Sequence, residues 1–237
     1  MLINFSSEDV SRKSKLASNG PHDTAFFDKK NKIIYLHTHK NASKTIRKVM
    51  DGYLNWGDLP GPAQHEYLRS IDEIAEGYKL FWVVREPIER LVSAFCEIWP
   101  IDGFGRANQH VVKDPEVLNK TRHTIDDAFE SFVSKIEKHY FDQHIYPQIF
   151  TLTHKNLKIE DVDKIILFDN LQEEMTTFVN ENNIKNWNME LLQDKKGESD
   201  ISLKKYLYDK IRSSDELQKR IVFLYNEDVE IYKQLQL

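Results

Sequence analysis

The chain has 237 residues, enough for one sizeable hydrophobic core and short enough for a single domain. Hydrophobic residues make up 40% and charged residues 30%, which excludes a disordered or fibrous chain. A net charge of -5 argues against nucleic-acid binding through overall charge and leaves only a local cationic pocket; the one cysteine, Cys96, excludes an intrachain disulfide and a thiolate-based metal site.

No apolar run approaches the length that crosses a bilayer, and the first residues, MLINFSSEDVSRKSK, lack a signal-peptide core. The expected compartment is the cytoplasm. Residues 1 to 28 are weakly patterned and read as a lead-in segment. Ile33 to Leu36 then form a short apolar, β-favouring run, the pattern of a strand buried in a parallel sheet. From Ile46 the apolar residues Val49, Met50, Tyr53 and Leu54 follow helical spacing. Between strand and helix lies HTHKNASKT. A turn from a buried strand into a helix aims backbone N–H groups and the positive helix end at one point, which suits a phosphate or sulfate. An ordinary βα loop fits the same spacing.

The turn-rich segment Asn55 to Gln64 reads as a loop, and Ser70 with Glu73 matches a capping box whose short helix Gly77 would close. Lys79 to Val84, KLFWVV, is a second buried strand. It runs into Arg85-Glu86-Pro87, and Pro87 suits the first turn of a helix. Ile88, Leu91, Val92, Phe95 and Trp99 extend that helix to Trp99. Two strand–turn–helix units in succession indicate an α/β sheet with crossover helices.

From Pro100 to His123 the pattern fails, and a loop of this length in a compact domain is usually functional, so it is expected at an acceptor-site mouth. Thr124 to Lys138 reads as a helix capped by Thr124. The segment YFDQHIYPQ leads to a strand-like patch at Ile149 to Leu152. Lys164 to Phe168 is a third buried strand, followed by a helix carrying Leu171, Met175, Phe178 and Val179. Glu181 to Asp200 is lysine- and asparagine-rich and reads as a surface excursion. Ser213 with Glu216 opens a last helix bearing Leu217, Ile221, Leu224, Tyr225, Tyr232 and Leu235. The whole chain, 1–237, reads as one domain.

Two constellations carry possible chemistry. Lys40 precedes Asn41, Ala42, Ser43, Lys44 and Thr45, so a cation at the loop's start reaches over an anion that N–H groups and hydroxyls hold from below. A Walker-type loop would end at Lys44-Thr45, but His37 and Ser43 occupy its two glycine positions, where the backbone must approach phosphate closely. The second is Arg85 with Ser93. Arg85 leaves the carboxyl end of a strand, where open α/β sheets bind ligands, and Ser93 follows two helical turns on. Equally, Arg85 pairs with Glu86 or Glu89 at the surface while Ser93 is solvated.

Together, HKNASKTIRKVM and VREPIERLVSAF resemble the two nucleotide-binding signatures of the sulfotransferases, closest to the carbohydrate enzymes of the chondroitin and HNK-1 type (sulfotransferase family 2). The second signature, V-R-[DE]-P-x-x-R-[LF]-x-S-[AG]-[FY], is met at every position. Asp142 to Gln148 resembles the family's D-x-H-W-x-P-Q, ILFDNLQEEM its R-[FY]-E-x-L-x-x-D, and LYNEDVEIY its Y-x-x-D-[FY]-x-x-[FY] ending. Departures are His39 for proline, Lys44 for threonine, Asp169 for glutamate and Ile145 for tryptophan.

The resemblance implies a three-layer, P-loop-like α/β fold, with a central parallel sheet flanked by helices, that binds 3′-phosphoadenosine 5′-phosphosulfate (PAPS). Lys40 would be the catalytic lysine, with Asn41, Ala42, Ser43, Lys44 and Thr45 around the 5′-phosphosulfate. Arg85 and Ser93 would take the 3′-phosphate. The implied partners are this nucleotide donor and a hydroxylated acceptor, most readily a glycan, with no metal. Sulfuryl transfer is an in-line displacement governed by positioning and electrostatics. The acceptor hydroxyl needs a base, and His144 leads, followed by His65, Glu66, His110 and His123. The rival readings are a P-loop kinase or NTPase using Lys44-Thr45, and a non-catalytic nucleotide-binding protein.

Overall fold

A computed structural model describes residues 24–51, 63–67, 77–98, 115–138, 144–153, 155–195 and 203–237. The described residues within Ser7–Arg85 and Gln148–Lys196 form one compact unit, and those within Glu86–Pro147 and Gly197–Leu237 the other. The predicted α/β class holds: a mixed sheet is flanked by helices.

The first unit is built on five strands: β1 (Thr24–Asp28), β2 (Ile33–Leu36), β3 (Ala63–Tyr67), β4 (Lys79–Val84) and β5 (Lys164–Leu167). Their order across the sheet is β3-β1-β2-β4-β5. β2, β4 and β5 run parallel, with Leu36 opposite Trp82 and Val84 opposite Leu167. β1 is antiparallel to both β2 and β3. The parallel sheet expected from the sequence is therefore extended at one edge by antiparallel pairing.

Strands buried on both faces need apolar residues at successive positions, and β2 and β4 supply them. Phe26, Tyr35, Phe81, Val83 and Ile166 line one face and pack with Ile46, Val49 and Met50 of helix α1 (Ser43–Asp51). Ile34, Leu36, Leu80, Trp82 and Val84 on the other face are buried as well.

Several expectations are corrected. Residues 24–28, read as lead-in, are strand β1, and its Ala25, Phe26 and Phe27 are buried. Three apolar residues are too few to signal a strand until β2 pairs with them. The end of the expected loop, Ala63 and Gln64, likewise belongs to strand β3, whose AQHEY carries no apolar alternation. Ile149 to Leu152 is not a strand but feeds a helical turn (Phe150–Thr153), closed by local bonds such as Leu152 N–H to the Ile149 carbonyl at 2.9 Å. A four-residue apolar run does not distinguish the two states. The 181–200 stretch is only partly a surface excursion. Ile184, Trp187 and Leu192 are buried, and the Asn188 N–H donates to the Val49 carbonyl at 2.9 Å. The helix Leu171–Glu181 falls where its pattern places it.

In the second unit, helix α2 is Pro87–Ile98, α3 is Pro115–Glu137, and α4 (the Phe150–Thr153 turn) and α5 (Leu171–Glu181) belong to the sheet unit. α6 (Leu203–Arg212), α7 (Asp215–Leu224) and α8 (Asn226–Leu235) complete the second, helical unit. α3 begins at Pro115, so residues 115–123 of the predicted acceptor loop are helical; proline is pre-set for a helix's first turn. Residues 100–114, with His110, lie outside the described residues, as do residues 1–23 and the Ser70–Glu73 box. The terminal cap is Ser214 rather than Ser213. The Ser214 hydroxyl accepts from the Leu217 N–H at 3.3 Å, while Ser213 donates to the Lys210 carbonyl at 3.0 Å. The expected last helix is two, α7 and α8, parted at Tyr225. Phe95, Phe129 and Phe132 pack ring against ring, and Arg220 pairs with Glu137 at 2.8 Å and also with Glu130. Among the described residues no helix is long and apolar enough to cross a membrane.

One buried carboxylate ties the sheet unit together. Asp28, fully buried, accepts from the Lys30 and Asn31 N–H groups at 3.1 and 3.0 Å and from Trp187 Nε1 at 2.7 Å. Asp28→Ala strands these donors, so unfolding free energy in a urea titration is expected to fall by about 3 kcal/mol, and Asp28→Asn by less.

Candidate active site

β2 and β4 are adjacent and parallel, so their carboxyl ends leave the sheet side by side. After β2, His37 and Thr38 stay buried and the chain turns sharply. Lys40 and Ala42 both adopt left-handed backbone, with φ of 69° and 59°. Such residues cost roughly 1–3 kcal/mol each and persist where the surroundings over-determine them.

Here the surroundings are polar and buried. The Asn41 N–H donates to the Thr38 carbonyl at 3.4 Å. Asn41 Nδ2 donates to the Val83 carbonyl at 2.7 Å and to Gln148 Oε1 at 2.5 Å. The Tyr35 hydroxyl donates to the Asn41 carbonyl at 3.2 Å; burial pushes this phenol far above its ordinary value, so it remains a neutral donor. Asn41 Oδ1 is buried without a hydrogen-bond partner among the described residues. Thr38 Oγ1 accepts from Trp82 Nε1 at 2.9 Å and shares a hydrogen bond with Thr151 Oγ1 at 2.6 Å. His39 sets its ring 4.5 Å from that of His37.

α1 starts at Ser43, so Ser43, Lys44 and Thr45 occupy its first turn, where helix N–H groups lack acceptors within the helix and the dipole favours an anion. Lys40, Ser43 and Thr45 are half-buried and Lys44 is exposed.

Arg85 leaves β4 beside this loop. Its Nη1 donates to the Lys40 carbonyl at 3.2 Å, and its guanidinium lies over the Phe168 ring, 4.2 Å from the centroid. Only 9% of Arg85 is exposed. Its main chain is held by Gln148, whose Oε1 accepts from the Arg85 N–H at 2.9 Å and whose Nε2 donates to the Arg85 carbonyl at 2.7 Å. The structure thus brings Lys40, the loop through Thr45 and Arg85 to the carboxyl end of two adjacent central strands. A lysine, a helix start and a stacked guanidinium there can hold an anion and offset charge that develops on it.

Ser93 and His144 belong to the helical unit. Ser93 is on α2, 5% exposed. α2 is capped by Glu86, whose Oε2 accepts from the Glu89 N–H at 2.7 Å; burial pushes this carboxyl up, against the helix N–H groups of Glu89 and Ile88. His144 is half-buried, and the carbonyl of Ile145 beside it accepts from the buried Tyr225 hydroxyl at 2.7 Å. Of the other base candidates, His123 is exposed on α3 and pairs with Asp127 at 3.5 Å. His65 and Glu66 are on β3, opposite Phe26 and Ala25.

Sequence reasoning assigned no role to Gln148 or Phe168. Both sit in stretches singled out by resemblance, DQHIYPQ and ILFDNLQ, which is the one signal that pointed toward them.

A family model for the sulfotransferase family matches residues 23–233. No curated protein and no solved structure matches the chain.

The left-handed turn makes a local prediction. Ala42 is 7% exposed, and a β-branched side chain at its φ is strained. Ala42→Val is expected to lower stability by about 2 kcal/mol in chemical denaturation, and Ala42→Gly to change it by less than half as much.

Proposed function

The chain belongs to the sulfotransferase family, and from that premise we propose that it moves a sulfuryl group from PAPS to a hydroxyl of a carbohydrate. Family membership makes it a sulfotransferase, with a sulfate donor and a hydroxyl acceptor. The nucleotide donor and the sugar acceptor are our reading. The observation that carries it is the bond from Arg85 Nη1 to the Lys40 carbonyl at 3.2 Å, which supports one binding edge shared by both signatures.

In this reading the first turn of α1, with Ser43, Lys44 and Thr45, holds the 5′-phosphosulfate, together with the backbone of Asn41 and Ala42. Arg85 takes the 3′-phosphate, the group that distinguishes PAPS from ATP. The acceptor oxygen forms a bond to sulfur as the bond from sulfur to the bridging phosphate oxygen breaks. Lys40 neutralises the charge that gathers on that leaving oxygen. The displaced product is adenosine 3′,5′-bisphosphate, and the acceptor's proton passes to a base. On the sequence alone, Ser93 keeps the 3′-phosphate role that the resemblance implies, and His144 is the first candidate for the base. The cytoplasmic location read from the sequence is part of the same proposal.

Two measurements test it. In calorimetry, adenosine 3′,5′-bisphosphate is expected to bind at least about 10-fold more tightly than ATP, since a bidentate guanidinium–phosphate pair contributes about 1.4 kcal/mol or more. Equal affinities, or Mg²⁺-dependent ATP turnover, overturn the reading. In a labelled-sulfate transfer screen from PAPS across sugars and small alcohols, Lys40→Ala is expected to lower turnover by about 100-fold or more without shifting the melting temperature. Undiminished turnover removes Lys40 from the mechanism, and binding without transfer to any acceptor makes the protein a non-catalytic binder.

A further inference from the structure

We propose that Gln148 is a positioning residue for nucleotide recognition: its side-chain amide fixes the main chain of Arg85 and ties it to the turn that carries Lys40. This rests on the reading of Arg85 as the 3′-phosphate ligand.

The amide of Gln148 pairs with Arg85 as a neighbouring strand would. It accepts from the N–H at 2.9 Å and donates to the carbonyl at 2.7 Å of the same residue. Arg85 follows the last residue of β4, where the ladder ends and a backbone N–H and carbonyl would otherwise be buried without partners. The same Oε1 also accepts from Asn41 Nδ2 at 2.5 Å, and Asn41 Nδ2 reaches the Val83 carbonyl at 2.7 Å. Two side-chain amides, 0% and 1% exposed, thus continue the hydrogen bonding of β4 beyond the sheet. Only one orientation of the Gln148 amide works. Turned over, its N–H₂ would face two donors and its oxygen a carbonyl.

The consequence for Arg85 is that both ends are held. Gln148 sets the main chain, hence the direction of the Cα–Cβ bond, while Phe168 and the Lys40 carbonyl set the guanidinium. A guanidinium ordered before the ligand arrives recognises phosphate geometry without losing its rotamer freedom at that moment. Glutamine also suits the position chemically. It offers a donor and an acceptor with no charge, whereas a carboxylate there would compete with the phosphate for Arg85.

The test compares wild type, Gln148→Leu and Gln148→Glu by calorimetry with adenosine 3′,5′-bisphosphate and adenosine 5′-monophosphate, alongside melting temperatures. The readout is discrimination, the ratio of the two affinities. Gln148→Leu is expected to lower that ratio by about 10-fold or more, as displacement of a ligand-binding group by a fraction of an ångström commonly does. Gln148→Glu keeps the accepting contacts, loses the donation to the Arg85 carbonyl, and is expected to lower the ratio too. It decides the matter alone if Gln148→Leu does not fold. A purely structural role scales both affinities together or lowers the melting temperature with the ratio unchanged, and that overturns the proposal. If the wild type itself does not discriminate between the ligands, the reading of Arg85 falls instead.

Discussion

The site depends on one buried polar junction at the ends of two adjacent parallel strands. Parallel pairing of β2 with β4 brings their carboxyl ends together, but it does not say what the chain does next. Beyond the ladder, Asn41 and Gln148 replace the missing strand neighbours and convert two loose exits into turns of defined geometry. Buried amides of this kind are costly when half satisfied and rigid when paired. Among the described residues, Asn41 Oδ1 is buried there without a hydrogen-bond partner.

That rigidity explains how two non-glycine residues remain left-handed. Lys40 and Ala42 flank Asn41, so the strained positions bracket the residue whose side chain locks the turn. In the proposed reading the strain serves a chemical end. A sulfotransferase is not expected to form covalent bonds to its substrate, and its work is to hold anionic groups in line and offset the charge that moves between them. Such work needs cations whose positions are set beforehand. Arg85, stacked on Phe168 and bonded to the Lys40 carbonyl, meets that requirement.

The elements missed in the sequence share a cause. β1 and β3 have short or polar sequences that become strands only through pairing, β1 against the edge that β2 offers and β3 against β1. The segment after α5 looks solvated by composition, yet Ile184, Trp187 and Leu192 are spaced to cover α1 and the sheet. The start of α3 was hidden because Pro115 suggests a break when read alone and a first turn once the helix exists. For β3 and for the 184–192 segment the deciding partners lie far away in the chain, and local pattern carries no record of them.

The sequence by itself determined the α/β class, the strands β2, β4 and β5 and the helices that follow them, and it singled out Lys40 and Arg85. Those features rest on local quantities: consecutive apolar residues, helical spacing, and short motifs in a fixed order. Only the tertiary structure decided that Lys40 and Arg85 meet at the carboxyl end of two adjacent strands, that Asn41 locks the loop from beneath, and that Gln148, 63 residues beyond Arg85, holds its main chain. Hydrogen bonds between side chains and backbone so far apart in sequence leave no periodicity to read. They arise from strand order, and strand order exists only when the chain has folded.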